Sequence, residues 1–104
     1  MSEFVKVARV GDIAPGTGKT LYLGVTPVAL FNVDGQYYAI HNDCPHEDGP
    51  LGEGSLCGSV VTCPVHAYEF DVSSGECLTD SAYCVERFEV RVDGGDILLR
   101  RPDP

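Results

Sequence analysis

The sequence predicts an all-β fold of short antiparallel strands with a metal-binding insertion in the middle. Short segments that alternate apolar and polar residues recur along the chain, as half-buried strands require. Twelve glycines and seven prolines favour many turns, and no helical period of useful length is present. At 104 residues the chain fits one domain with a modest core.

The first half of the chain predicts four strands, of which the last two form a hairpin. The strands are predicted at residues 4–10, 19–24, 26–33 and 36–41, with a loop at 11–18. Asp34 and Gly35 separate the last two strands, and an Asp-Gly pair is the strongest short-range signal of a hairpin turn. This hairpin delivers the chain directly to Cys44.

The second half predicts an irregular loop followed by two more hairpins. The loop is predicted at residues 42–56, and the strands at 59–63, 67–72, 83–92 and 97–101. The hairpin of residues 59–72 carries Cys63 and His66 at its tip. The sequence Asp93-Gly94-Gly95-Asp96 predicts the turn of the last hairpin.

Two Cys-His pairs stand out as candidate metal ligands. They are Cys44-Pro45-His46 and Cys63-Pro64-Val65-His66, with sixteen residues between them. Thiolates and imidazoles in fours suit zinc or an iron–sulfur cluster. The unequal spacing fits structural zinc poorly, because zinc knuckles separate their ligands by about two to four residues. It fits a mixed-ligand [2Fe–2S] cluster well, in which two cysteines hold one iron and two histidines hold the other.

These residues and their spacing resemble the motif of the Rieske iron–sulfur family. Residues 46–54 are also similar to the first cluster loop of soluble Rieske ferredoxins, and residues 68–76 to the strand and turn after the second loop. The resemblance implies a Rieske fold, a small antiparallel β-sandwich or partly open barrel spanning residues 1–104 as a single domain. A cluster-binding subdomain of two loops on β-hairpins, at about residues 42–80, is inserted between its base strands.

The resemblance also implies the cofactor and its ligands. One Rieske-type [2Fe–2S] cluster is expected, with its inner iron on Cys44 and Cys63 and its outer iron on His46 and His66. The third histidine of the chain, His41, falls outside the motif and is expected to be a strand-end residue without a ligand role.

Departures from the respiratory-chain Rieske proteins indicate a low-potential cluster. Those proteins join the two cluster loops by a disulfide, and the matching positions here hold Gly49 and Val65. They also direct serine and tyrosine hydroxyls at the cluster sulfurs, where this chain has Tyr68 and Phe70. Fewer hydrogen bonds to the sulfurs stabilise the added electron less, so we expect a potential towards the lower end of the roughly −150 to +300 mV Rieske range.

Two further departures concern the loops around the cluster. Ala67 follows His66 where the family usually has glycine, so we expect a slight displacement of the second loop. The loop after Leu78 lacks the proline that commonly covers the cluster in the family.

The implied function is soluble one-electron transfer, as in the ferredoxin component of multicomponent aromatic-ring dioxygenases. Such a carrier accepts electrons from an NAD(P)H-dependent flavoprotein reductase and passes them to a terminal oxygenase. The chain has no Gly-rich dinucleotide loop and no second domain, which favours a carrier over an enzyme. Two alternatives are the small Rieske-like subunit of an assimilatory nitrite reductase and a zinc-stabilised interaction module without a redox role.

Charge and hydropathy restrict the partners and the location. The formal net charge of −9 argues against nucleic acid or an anionic membrane as a partner, and agrees with electrostatic steering towards a basic protein surface. No apolar run approaches the roughly 20 residues that span a bilayer. The N-terminus lacks the features of a signal peptide. We therefore expect a cytoplasmic protein, and we expect a monomer because that is the usual state of a small transient carrier.

Three cysteines, Cys57, Cys77 and Cys84, lie outside the motif. Without an export signal, such cysteines are expected to be small buried apolar residues rather than disulfides. The alternating pattern around Cys84 supports this interpretation for that residue. A Cys77–Cys84 disulfide is the less favoured alternative.

Overall fold

The computed structural model describes residues 3–45, 49–65 and 67–100, which form nine strands in two antiparallel sheets. The strands are β1 (Val5–Arg9), β2 (Thr17–Leu23), β3 (Thr26–Val33), β4 (Gln36–His41), β5 (Ser55–Cys57), β6 (Val60–Thr62), β7 (Glu69–Asp71), β8 (Arg87–Asp93) and β9 (Asp96–Arg100). Two single 3₁₀ turns, Val10–Asp12 and Leu51–Glu53, complete the regular elements. The predicted all-β class is confirmed.

The larger sheet has the strand order β1-β9-β8-β4-β3-β2. Its two end strands approach each other, so the sheet forms a nearly closed, barrel-like wall. The β3–β4 hairpin has the predicted bounds. Its turn residues Asp34 and Gly35 have φ values of 51° and 88°, the left-handed conformations that a type I′ turn requires. The predicted β8–β9 turn is also present, with Asp93 opposite Asp96.

The strand predicted at residues 83–92 is shorter than expected and begins at Arg87. The residues before it pair instead with the segment after β7. Cys84 lies opposite Glu76 in an isolated bridge, and the Val85 N–H donates to the Gly75 carbonyl over 2.8 Å. This pairing directs residues 83–85 to the segment after β7, so their alternation does not extend β8.

The smaller sheet has the order β5-β6-β7 and lies between β4 and β8 in the sequence. Strand β6 pairs with β7, from Val60 opposite Asp71 to Thr62 opposite Glu69. This pairing confirms the predicted hairpin of residues 59–72. The prediction that residues 42–56 are entirely irregular was wrong, because Ser55 and Leu56 belong to β5. A strand of three residues is too short to show a period in the sequence.

The buried apolar side chains form two cores that share β3. Val28 and Leu30 face the barrel, whereas Ala29 and Phe31 face the core that extends to the smaller sheet. All four are fully buried, which explains why this part of β3 is apolar without alternation. Gly18 on β2 makes room for Phe31, since a Cβ there would lie 2.4 Å from the Phe31 ring. Among the helical segments of the described residues, none has the length and apolar character needed to cross a membrane.

Candidate metal centre

Cys44 lies just beyond the end of β4. Its side chain is fully buried, and its N–H donates to the Gly49 carbonyl over 2.9 Å. This bond joins the two ends of the segment that contains His46. The thiol lies in the same apolar core as Phe31 and Leu51.

Asn42 anchors this first loop to the barrel. Its buried side-chain Oδ1 accepts hydrogen bonds from the Gly52 N–H over 2.8 Å and from Thr20 Oγ1 over 3.0 Å. Its backbone N–H donates to the Pro27 carbonyl, and its carbonyl accepts from the Leu51 N–H. This role of Asn42 was not predicted from the sequence, because its partners are distant in the chain. A polar amide between an apolar strand and a candidate ligand is the signal that could have indicated it.

Cys63 occupies the tip of the β6–β7 hairpin, as predicted. Its side chain is 2% exposed. The Cys63 N–H donates to the Tyr68 carbonyl over 2.7 Å, and the Cys63 carbonyl accepts from the Ala67 N–H over 3.0 Å. Ala67 has a φ of 59°, a left-handed conformation that is costly for residues with a Cβ. Alanine at this position therefore keeps a backbone shape that suits glycine.

The two loops meet at Gly49. A Cβ on Gly49 would lie 2.5 Å from Cys63 Sγ and 2.7 Å from Val65 Cγ2, so a side chain does not fit there. Gly49 and Val65 face each other, since the same Cβ would lie only 3.2 Å from Val65 Cβ. These are the positions expected to match the disulfide of the respiratory-chain proteins, and neither holds a cysteine.

The candidate histidine ligands, His46 and His66, lie outside the described residues, and their part in the site stays a prediction. No group of three or more possible metal ligands occurs within residues 3–45, 49–65 and 67–100. Within these residues, the structure brings together the two loops that carry Cys44 and Cys63. His41 ends β4, and its Nδ1 accepts a hydrogen bond from the Asp43 N–H over 3.2 Å.

Tyr68 borders the buried cysteines from the other side. Its ring is half-buried and packs edge-to-face on Tyr83, with 5.9 Å between the centroids and 64° between the planes. Burial raises the pKa of the Tyr68 phenol, and the charges of Tyr83, Asp80 and the nearby cysteines raise it further. Phe70 is fully buried and has no hydroxyl to offer a cluster sulfur.

All five cysteines are thiols rather than disulfides, and only one of the three outside the motif is buried. Cys77 is 5% exposed, as expected. The same expectation was wrong for Cys57, which ends β5 beside an exposed turn, and for Cys84. Cys84 lies opposite Glu76, and both are exposed. Cys77 follows Glu76 in the chain and is buried on the inner face. Cys77 and Cys84 therefore point to opposite faces, which disfavours the alternative disulfide.

Comparison with known proteins assigns this arrangement of loops to a family. Residues 3–89 match the family model of the Rieske [2Fe–2S] domain. The chain belongs to the Rieske family. The Rieske chain is 35% identical over 100 residues to the ferredoxin CarAc of Metapseudomonas resinovorans, and the match covers 92% of each chain.

Solved structures of the family superpose closely on the Rieske chain. A complex of reduced oxygenase and oxidised ferredoxin in carbazole 1,9a-dioxygenase contains a chain with a TM-score of 0.85 and 32% identity, covering 93% of this chain and 92% of that one. A proposed NADH-dependent nitrite reductase small subunit from Mycobacterium tuberculosis gives a TM-score of 0.90 at 25% identity, covering 100% and 99%.

The cofactor of this Rieske chain is a [2Fe–2S] cluster of the Rieske type. The described part of the site fits that group. Cys44 and Cys63 form no disulfide, are buried, and are held on two turns that touch at Gly49. Thiolates in a largely apolar pocket are the donors that iron–sulfur clusters use.

Proposed function

We propose that this chain is a soluble, cytoplasmic, monomeric one-electron carrier with a low-potential Rieske cluster. It accepts electrons from an NAD(P)H-dependent flavoprotein reductase and passes them to a terminal oxygenase. The similarity to the ferredoxin CarAc over nearly the full length of both chains carries this proposal. The likeness to a chain in the oxygenase–ferredoxin complex supports the oxygenase as the partner. As an electron-transfer component, the chain is not itself an enzyme.

Four residues are proposed as cluster ligands. Cys44 and Cys63 would hold the inner iron, and His46 and His66 the outer iron. When bound, the cluster supplies reversible one-electron chemistry. The proposed cluster-binding subdomain, at about residues 42–80 within the single domain 1–104, agrees with the place of the smaller sheet between β4 and β8.

The low potential follows from what surrounds the proposed thiolate ligands. Phe70 presents an apolar ring where the respiratory-chain proteins have a hydroxyl donor. Gly49 and Val65 leave the two loops without a disulfide. Because reduction adds a negative charge, a buried apolar site with fewer hydroxyl donors favours the oxidised state.

The charges of the chain are segregated in a way that supports transient docking near the cluster loops. Ten of the sixteen acidic residues and none of the seven basic residues lie between Thr20 and Glu86, the stretch that includes both loops. The described basic residues outside it lie mainly on β1, β8 and β9. Val65 and Leu78 are about half exposed, at 48% and 54%, within this acidic stretch. A basic partner surface would be attracted to this acidic stretch.

The small subunit of an assimilatory nitrite reductase is the second candidate. The close superposition on the proposed mycobacterial subunit over the whole chain favours it. The two candidates share the cofactor and the fold, and differ in the protein that receives the electrons.

Two measurements test the proposal in sequence. The purified protein, reduced with dithionite, is expected to give an electron paramagnetic resonance spectrum whose average g value lies below that of the free electron. A colourless, iron-free protein would contradict the proposal. The reduced protein is then mixed in a stopped-flow instrument with a terminal oxygenase or with a sirohaem nitrite reductase from the same organism. Rapid reoxidation by the oxygenase alone is the expected result, and reoxidation by the nitrite reductase alone would favour the second candidate.

A further inference from the structure

The segment from Cys77 to Tyr83, which we call the third loop, is closed at its base and fixed along one side. The Cys77 N–H donates to the Tyr83 carbonyl over 3.3 Å and so joins the two ends. The Leu78 N–H donates to the Glu69 carbonyl over 2.7 Å, and the Glu69 N–H donates to Thr79 Oγ1 over 2.9 Å. The Thr79 side chain therefore provides the hydrogen-bond acceptor for the N–H of Glu69, the first residue of β7.

The Cys77 thiol stabilises the interior of the third loop. Its buried Sγ accepts a hydrogen bond from the Asp80 N–H over 3.4 Å. The Asp80 carboxylate accepts from the Ala82 N–H over 3.0 Å, and the Asp80 carbonyl accepts from the Tyr83 N–H over 3.1 Å. These bonds define one conformation for a loop that contains no proline.

Two tyrosine rings connect the third loop to the cysteine loops. Tyr68 and Tyr83 pack edge-to-face, and both rings lie against the core that contains Cys44 and Cys63. The Tyr68 carbonyl also accepts the hydrogen bond from the Cys63 N–H. Tyr68 thus contacts a candidate ligand through its backbone and the third loop through its ring.

We propose that Tyr68, Cys77, Thr79 and Tyr83 form a clamp that holds the third loop against the cysteine loops and keeps water from the buried thiolates. The inference rests on the proposed function in that it requires a cluster at Cys44 and Cys63. Reduction adds a negative charge, which water stabilises far better than an apolar core does. A closed clamp therefore keeps the reduction potential low, and opening the clamp raises it. The four side chains act as positioning residues.

Two substitutions open the clamp without changing a candidate ligand. Thr79→Val removes the acceptor of the Glu69 N–H and keeps the side-chain shape, whereas Tyr83→Leu removes a ring of the aromatic pair. Tyr83→Phe keeps that ring. Ser81→Ala is the matched control, because Ser81 is an exposed residue of the same loop. The readouts are the midpoint potential by protein-film voltammetry, the rate of cluster loss to a chelator, and amide hydrogen exchange.

Thr79→Val is expected to speed exchange of the Glu69 amide by about tenfold, the effect of losing one hydrogen bond. Both Thr79→Val and Tyr83→Leu are expected to raise the midpoint potential and speed cluster loss. Tyr83→Phe should change both quantities less than Tyr83→Leu, and Ser81→Ala stays close to the unmodified protein. If exchange speeds up in Thr79→Val while the potentials and cluster-loss rates of all variants stay unchanged, the clamp proposal is overturned. Absence of a Rieske spectrum from the unmodified protein would instead overturn the proposed function.

Discussion

The backbone N–H of Cys63 donates a 2.7 Å hydrogen bond to the carbonyl of Tyr68. This bond closes the tip of the β6–β7 hairpin over four intervening residues, one of which is His66. It also fixes the Cys63 thiol relative to the half-buried Tyr68 ring. The position of one proposed ligand is therefore set by the residue that borders the site on its other side.

Replacing Asn42 is expected to release the first loop from the barrel. In Asn42→Ala, the buried Gly52 N–H and the half-buried Thr20 hydroxyl lose their shared acceptor, and a buried group left unsatisfied costs about 1–3 kcal/mol. The free energy of unfolding, measured by urea denaturation, should fall by at least about 2 kcal/mol. Thr20→Val removes only one of the two bonds and should cost less. Equal losses in the two variants would contradict this role for Asn42.

A side chain at position 49 is expected to disturb the cluster. In Gly49→Ala, the new Cβ would lie 2.5 Å from Cys63 Sγ, and relieving such overpacking costs about 1–3 kcal/mol. Iron content per chain and the intensity of the visible absorption should both decrease. Gly11→Ala is the control, because a Cβ at Gly11 has no neighbour within 4 Å. Full iron content in Gly49→Ala would show that the two loops can separate without loss of the site.

Glycine at position 67 is expected to stabilise the protein. Ala67 has a φ of 59°, and the left-handed conformation costs a residue with a Cβ roughly 1–2 kcal/mol. Part of that gain is lost to the greater chain entropy of glycine, so Ala67→Gly should raise the free energy of unfolding by about 0.5–1 kcal/mol. Asp34→Gly is the comparison, since Asp34 has a φ of 51° but aspartate tolerates this region better. A lower stability of Ala67→Gly would refute the expectation.

Charge reversal near the cluster loops is expected to slow electron transfer more than reversal at the far end. Glu53→Lys and Asp93→Lys change the net charge equally, but Glu53 lies in the acidic stretch and Asp93 in the β8–β9 turn. Electrostatic steering changes association rates by about tenfold or more and weakens with salt. At low ionic strength, Glu53→Lys should reduce the second-order rate constant with the oxygenase several-fold more than Asp93→Lys does. Identical rate constants would argue against orientation by this charge pattern.

The phenol of Tyr68 is expected to ionise above the ordinary value of about 10. Burial and the charges around it raise its pKa, so the folded protein holds this proton more tightly than the unfolded chain. The contribution of this phenol to the free energy of unfolding is complete below pH 10. It is lost as pH rises from 10 through the pKa of the folded protein. Spectrophotometric titration should show a phenolate phase above pH 10 that is missing from Tyr68→Phe. The same titration curve for both proteins, apart from its amplitude, would contradict the raised pKa.

Local signals in the sequence were sufficient for the hairpins. Asp34-Gly35 predicted both the turn and the bounds of β3 and β4, because left-handed residues and neighbouring apolar strands determine such a hairpin locally. Local signals failed for β5, which exists through its pairing with β6. They also failed for residues 83–85, which pair with the segment 75–77 and not with the barrel.

The candidate site also has some features that the sequence predicts and others that it does not. The spacing of the Cys-His pairs was enough to predict the chemistry, because the ligand types and the loop lengths are written in the sequence. The contacts that fix the loops were not predictable in this way. Asn42 reaches Thr20 and Gly52, and Glu69 donates to Thr79, so these contacts depend on the folded arrangement of distant segments.

The position of β3 between two cores bears on how the protein matures. Strands β2, β3 and β4 are joined by successive hairpins, and such contacts between near neighbours in the chain form rapidly. The wall that supports Cys44 can therefore fold before any iron arrives. We expect the chain without iron already to hold the three-stranded wall of β2, β3 and β4, on which the two cysteine loops have still to close.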